Sequence, residues 1–455
     1  MKYMRCLINS YICQFHKCYF SSKHSVELLP EVQTLLDSGV MKHRKHPGIR
    51  KLPPLQLPAD LIEAVYRLVS NENESRILKE AAELKSFLAS RRLPIEEDEV
   101  NFRLAKYFGP NKDVMTKEQL IKAKRNIRCE FGRWKPIEYN YYQCLAYLAG
   151  KLTSNYASIY KVFSEVNSVL PSFQPRSFFD FGSGVGSAVW AANAMWEKSL
   201  DEYFCVDSSA SMNEISQALL TDENTGKSSI KNIFFRQFLP ASDNIKYDLV
   251  VSAFSLLDLP SVEERVRTID TLWRKTKDIL VIIENGNLSG FFSVLDARDY
   301  VLQIEKQLPD SNGAHVVIPC PHEFSCPLMK EGSKKTCGFY VPYEDIFPRQ
   351  RTVLKKDWIS YVVLRKGPRP TDSNMWPRIV QPVLKKSHFV ICRACCSDGM
   401  LKELTITKAR HGRHAYRCAR SSSLGDQLPL NIEQLENNKD NSVTEDCPEK
   451  KINKE

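Results

Sequence analysis

The sequence predicts an α/β protein built on a doubly wound, Rossmann-like sheet, on three observations. Ser177 to Gly186 is an apolar run that ends in an acid and then in glycines at alternate positions. That is the pattern of a buried strand turning sharply into a helix, with the backbone free to approach a ligand. Glu202 to Val206 reads as a second strand ending at Asp207, where a doubly wound sheet places a carboxylate for ribose hydroxyls. Tyr247 to Phe254 and Ile279 to Glu284 repeat the form: a short apolar run with polar or small residues at its C-terminal end, the edge where such sheets bind ligands.

The elements follow in order. The chain has 455 residues and 43% hydrophobic content, enough for two or three domains with proper cores. Its net charge of +10 points to a polyanionic partner. No apolar run is long enough for a membrane span. Residues 1–24 are basic, acid-free and serine-containing, the composition of a mitochondrial targeting peptide. Residues 25–155 are expected to be mostly helical, because Leu61 to Val69, Ile77 to Leu88 and Leu120 to Ile127 carry apolar residues at three- and four-residue spacing. A Pro- and Lys-rich stretch, Met41 to Pro58, separates a first short helix from the rest. Lys117 to Lys135 interleaves Lys122, Lys124, Arg125, Arg128 and Arg133 with Phe131 and Trp134, a mixture suited to RNA as well as to a solvated helix face.

The doubly wound domain is placed at 156–367, with Trp358 to Arg365 as its last strand and a long irregular, cysteine-bearing insertion at 311–345. Residues 368–428 form a small basic module. Between Trp376 and Arg420 it holds ten Lys or Arg against Asp398 and Glu403, a density that gains affinity by counterion release on a phosphate backbone. An acidic protein partner would suit the same surface. Residues 429–455 are polar and charged and read as a disordered tail.

Around the glycines the spacing is G-x-G-x-G and not the G-x-G-x-x-G of a dinucleotide site. This turn resembles motif I of S-adenosylmethionine-dependent methyltransferases. The cofactor-binding candidates are therefore Asp180, Gly182, Gly184, Gly186, Asp207 and Ser252. Amino-methylating enzymes generally carry an Asn/Asp/Ser-Pro-Pro-aromatic loop after the fourth strand; here the residues are Ser252-Ala253-Phe254-Ser255, so no catalytic residue is assigned.

Six of the fourteen cysteines lie between Cys320 and Cys396, which suggests metal and not disulfides. Only Cys392 and Cys395 have the C-x-x-C spacing of a zinc knuckle. Cys320, Cys326 and Cys337 are spaced too loosely for one, whereas iron–sulfur cubes accept irregular spacing. Reduced core cysteines are the plainer alternative. Pro319-Cys320 also mimics the nucleophile of cytosine carbon-5 methyltransferases, but it follows the wrong strand for that role.

Taken together, Phe179 to Gly186, Glu284-Asn285-Gly286-Asn287-Leu288-Ser289-Gly290-Phe291 with Ala297-Arg298-Asp299, Cys320-Pro321-His322, Cys326-Pro327-Leu328, Trp376 to Pro382 and Cys395-Cys396-Ser397-Asp398-Gly399 resemble one family. It is that of the mitochondrial methyltransferase-like proteins related to a yeast mitochondrial small-ribosomal-subunit component. The resemblance covers nearly the whole chain after the presequence. It implies a matrix protein that binds small-subunit ribosomal RNA and ribosomal proteins during assembly, as a monomer on the assembling subunit. It also implies a 4Fe-4S cluster on Cys320, Cys326, Cys337 and Cys395, with Cys392 and Cys396 as alternatives for the fourth ligand. S-adenosylmethionine is the second implied cofactor, held by a non-catalytic factor or, alternatively, by an active RNA methyltransferase.

Overall fold

A computed structural model describes residues 24–434, apart from 71, 110–114, 132–133, 223–225, 241, 243, 310–311, 331–334, 348–352 and 372. The targeting-peptide reading of residues 1–23 and the tail reading beyond 434 lie outside the described residues.

Five strands form the parallel part of the main sheet: β2 (Ser177–Phe181), β3 (Glu202–Val206), β4 (Ile233–Arg236), β5 (Tyr247–Ala253) and β6 (Thr276–Asn285). Their spatial order is β4-β3-β2-β5-β6. Strand order therefore reverses between β2 and β5, and ligands bind outside the carboxyl ends of the strands at such a switch point. The glycines follow β2 and the Ser252 to Ser255 stretch closes β5, so the fold sets these two segments side by side.

The rest of the sheet is antiparallel. β9 (Val353–Lys366) pairs with β6 along one edge, and with β7 (Ala314–Ile318) and β8 (Phe339–Asp345) along the other. The sheet is thus mixed; β9 is its last strand in the chain, as expected, but runs antiparallel to β6 and lies inside the sheet. The segment 311–345 is likewise not an irregular insertion, because it contributes β7 and β8. The strand Phe339–Asp345 alternates buried and half-exposed residues, but Pro342 and the acids within it mask that periodicity.

Helices cover both faces, as a largely parallel sheet requires. The longest, α6 (Tyr141–Val169), is buried almost all round and runs through the boundary expected at 155. One core gathers α6 and the helices α2 (Ala59–Ser70) and α3 (Glu74–Ser90) against the sheet; a second lies beneath α9 (Val262–Lys275) and α10 (Leu288–Gln307).

The basic module is a small antiparallel sheet, β10 (Arg378–Ile379) to β13 (Leu401–Thr407), packed on α12 (Lys408–Ser421). Its core is completed by both ends of the described chain. Val26, Leu28, Val32 and Leu36 pack with Ile379, Val390, Leu404, Ile406 and Tyr416. β1 (His24–Leu28) pairs with β14 (Leu430–Gln434). Residues 24–46 thus belong to this module, not to an N-terminal helical region. Residues 430–434 form a strand where a disordered tail was expected: they hold two apolar residues in alternation and need a distant partner strand to be ordered.

Candidate functional site: a glycine-loop cleft and a cysteine-lined cavity

The turn after β2 is held by its neighbours' backbone. Gly182 (φ 68°) and Ser183 donate to the Val206 carbonyl at 2.8 and 3.1 Å. A Cβ on Gly182 would lie 2.4 Å from the Ser255 Cβ, whereas one on Gly184 (φ 50°) would meet nothing within 4 Å. The first glycine is required by packing; the second leaves open space. Gly186 caps the helix that follows.

These residues border a cleft of about 280 Å³, near the lower limit for a small-molecule site. Asp180, Gly182, Ser183, Gly184, Ala253 and Phe254 line it, with Tyr147 and Asn155 contributed by α6. Asp180 is 1% exposed, and its Oδ2 has no hydrogen-bond partner among the described residues; nor do Asn155 Oδ1 and Ser183 Oγ. Burial, reinforced by the nearby Asp207 charge, pushes the Asp180 carboxyl up to about 8. Asp207 already accepts from the Gly184 amide at 2.8 Å and the Ser209 amide at 2.9 Å. It splints the loop while keeping further lone pairs free. Ser252 does not reach the cleft. It is fully buried, its Oγ is 2.7 Å from Ser255 Oγ, and Ser255 donates to the Phe181 carbonyl. It props the loop from behind.

The stretch after β5 is closed over by the N-terminal helices. Arg91 pairs with Asp258 and donates to the Lys135 carbonyl, and Trp134 Nε1 donates to the Leu257 carbonyl at 2.7 Å. Trp134 therefore faces inward and is no stacking platform for RNA bases. Glu284 accepts from the Leu256 amide, and burial followed by the Asp258 charge pushes its carboxyl up to about 8. Asp180 is the acid on the cleft wall, with the charge of Asp207 near it, and such a carboxyl favours a cationic ligand.

The cysteines of the second site come from three segments. Cys320 and Cys326 lie in the loop after β7, Cys337 precedes β8, and Cys395 ends β12 (Phe389–Cys395) in the basic module. All four line a single cavity of about 550 Å³ with apolar walls that include Phe291, Leu295, Leu328 and Leu401. Cys392 instead packs in the module core, and the Cys396 thiol donates to the Ala394 carbonyl. Burial pushes all four lining thiols up, Cys326 to about 11; for Cys395 the charges of the other three add to burial. They become thiolates only when a positive centre takes up the charge. A single zinc ion needs its donors about 2.3 Å from one point. Among the described residues no three His, Cys, Asp or Glu side chains are grouped to hold one ion. Four thiols lining one void are a donor set in which each thiolate could grip a different iron of a cluster.

Two side chains absent from the expected set shape this cavity. Arg298 is 2% exposed and donates to the His322 and Phe324 carbonyls at 3.0 and 2.8 Å, clamping the loop that carries two cysteines. His322 Nε2 lies 3.2 Å from Cys395 Sγ. Both stand in segments that carry the family resemblance, Ala297-Arg298-Asp299 and Cys320-Pro321-His322, which was the available signal. Next to the cavity, Arg378 pairs in β10 opposite Cys395 and is fully buried against Glu165 of α6 and the Tyr361 hydroxyl. Against opposing burial, the Arg378 guanidinium holds the Glu165 carboxyl down at about 2.

Arg378 therefore does not belong to the cationic surface. Lys402 is also buried, with Asp398, and Arg393 pairs with Glu403. The exposed cations of the module are Lys385, Lys386, Lys408, Arg410, Arg413 and Arg420. Lys124 and Arg128 of the earlier basic stretch pair with Glu97. No helix among the described residues is long and apolar enough to cross a membrane.

A family model described as mitochondrial small ribosomal subunit Rsm22 matches residues 141–429. The chain is 40% identical to the human mitochondrial ribosome assembly protein METTL17, over 85% of this chain and 86% of that one. It is 21% identical to the Saccharomyces cerevisiae mitochondrial ribosome assembly protein RSM22, over 62% of this chain and 66% of that one. Among solved structures, the plantazolicin methyltransferase BpumL in complex with SAH aligns with 64% of this chain at 14% identity and a TM-score of 0.29, too loose a likeness to bear on ligand or activity.

Proposed function

Since the chain belongs to the Rsm22 family of mitochondrial small ribosomal subunit proteins, we propose that it is a mitochondrial matrix factor for assembly of that subunit, binding ribosomal RNA through its basic module. In this reading a 4Fe-4S cluster on Cys320, Cys326, Cys337 and Cys395 holds the module in place, and the protein acts as a monomer among ribosomal proteins. The observation that carries it is the convergence of those four thiols, one from the module and three from the main domain, on one cavity. The cluster would supply binding energy that is also folding energy at this junction. Anaerobic purification with an absorption spectrum and iron and sulfide analysis tests the reading: a brown protein with about four irons is expected. Colourless protein without iron or sulfide overturns it.

The glycine-loop cleft supports S-adenosylmethionine as a second cofactor. Asp180 offers an unpartnered carboxylate to a cationic ligand, Gly184 leaves room, and Gly182, Gly186 and Asp207 fix the turn. A bound donor would supply a transferable methyl group. The second reading, an active RNA methyltransferase, rests on this cleft. Against it, Arg91 and Trp134 cover the stretch where an acceptor base would have to enter. Methyl transfer to assembly-intermediate RNA, lost in Gly184→Arg with the cluster intact, would establish that reading; no transfer by the wild type removes it.

A further inference from the structure

We infer that the RNA-binding face is a composite, with residues 42–45 near the N-terminus forming one flank of the basic helix α12. This rests on the proposed RNA-binding role of the module and specifies its surface.

A turn at Gly412 (φ 81°, ψ 164°) divides α12, and beyond it Arg413, Arg417 and Arg420 fall on one stripe at three- and four-residue spacing. Ala415, Cys418 and Ala419 pack inward on the module core. On one side of the stripe stands His414, and a short 3-10 turn (His43–Lys45) docks there. The His43 and His414 rings stack at 5.0 Å with Nε2 and Nδ1 2.9 Å apart, and His414 pairs with Asp37 at 3.0 Å. His46 anchors the same segment to Ser422 at 2.9 Å. On the other side, Tyr416 and Arg420 bond the Ser387 and Lys386 carbonyls.

The stripe therefore lies between two cationic margins, Lys42, Arg44 and Lys45 on one side and Lys385 and Lys386 on the other. All five are exposed, and among the described residues none has a carboxylate within ion-pair distance. The sequence carries no Asp or Glu in 38–58, 377–397 or 404–425, so apart from Asp37 beside His414 the face is positive although its parts are more than three hundred residues apart. Exposed cations without carboxylate partners among the described residues suit a phosphate backbone. An acidic docking protein would be recognised more specifically by alternating charge.

The test compares salt-dependent binding of the cluster-loaded full chain to a small-subunit ribosomal RNA transcript. The variants are Lys42→Gln/Arg44→Gln/Lys45→Gln, Arg410→Gln/Arg413→Gln/Arg417→Gln, and Lys122→Gln/Arg125→Gln on the separate helix Lys117–Phe131. Both triple variants are expected to lose about tenfold or more in affinity and to lower the salt slope by about 2 to 3, with the third variant unchanged. Loss in the Arg410/Arg413/Arg417 variant with the Lys42/Arg44/Lys45 variant unchanged overturns the composite face and leaves the module's RNA-binding role standing. No loss in either triple overturns that role as well. Equal loss in all three variants reduces the effect to net charge and also overturns the inference. Unchanged melting temperatures verify that each variant folds, as Lys or Arg to Gln changes at exposed positions and at the half-buried Arg417 allow.

Discussion

The glycine-loop cleft and the cysteine cavity differ in how they are built and in what keeps them intact. The cleft is made mostly by one strand, its turn and the next strand's end, with α6 closing it. It is polar, and three buried oxygens on it lack partners. The cavity gathers thiols from three segments belonging to two sheets, has apolar walls, and presents thiols that burial keeps protonated. A cleft with unpartnered carboxylate is stable without a ligand only at the cost of its own ionisation. A cavity of separated thiols holds its geometry chiefly through whatever joins them. Ligand loss should therefore soften the first locally and the second globally.

The largest effect should come from the cavity. Cys326→Ala is expected to abolish cluster absorption and lower the melting temperature by about 10 °C or more, because the lost binding energy is folding energy. Cys392→Ala and Cys396→Ala should retain the cluster. A bleached Cys396→Ala variant would show that the ligand set has been misassigned.

Next is the ion pair behind the cavity. Glu165→Gln leaves Arg378 buried and unpaired, and a loss of about 3–5 kcal/mol is expected by denaturant unfolding. Its pH dependence has a definite sign. Glu165 sits at about 2 when folded against an ordinary 4.5, so its stabilisation is present above pH 4.5 and is lost as pH falls toward 2. The variant should be flat in that window.

The cleft should behave in the opposite sense. Asp180 is raised to about 8 from an ordinary 3.8, so the folded state favours its protonated form, and stability falls as pH rises from about 4 to 8. Asp180→Asn is expected to raise the ligand-free melting temperature more at pH 8 than at pH 5, while S-adenosylmethionine binding, measured by calorimetry, weakens at least about tenfold. An unchanged pH profile would mean the carboxyl is solvated.

The smallest effect tests the cover over the cleft. Trp134→Phe removes the hydrogen bond to the Leu257 carbonyl and should cost about 1 kcal/mol. Faster amide exchange confined to residues 256–258 is the expected signature. Exchange that stays unchanged there would show that Arg91 alone holds the loop.

What was legible in the sequence was whatever local pattern encodes. Phe178, Phe179 and Val206 announce buried parallel strands, and Gly182 and Gly184 a turn that tolerates positive φ, because strand period and glycine freedom are properties of a few consecutive residues. Four cysteines could be singled out by composition and resemblance. Only the tertiary structure decided that they face one void while Cys392 joins a core, because that choice depends on the register of β12 against its neighbours. The same holds for the antiparallel β9 inside the sheet, for Arg378 turned from surface cation to buried ion pair, and for both ends of the described residues folded into one module. Each was settled by contacts between residues far apart in the chain, where burial and pairing outweigh local preference.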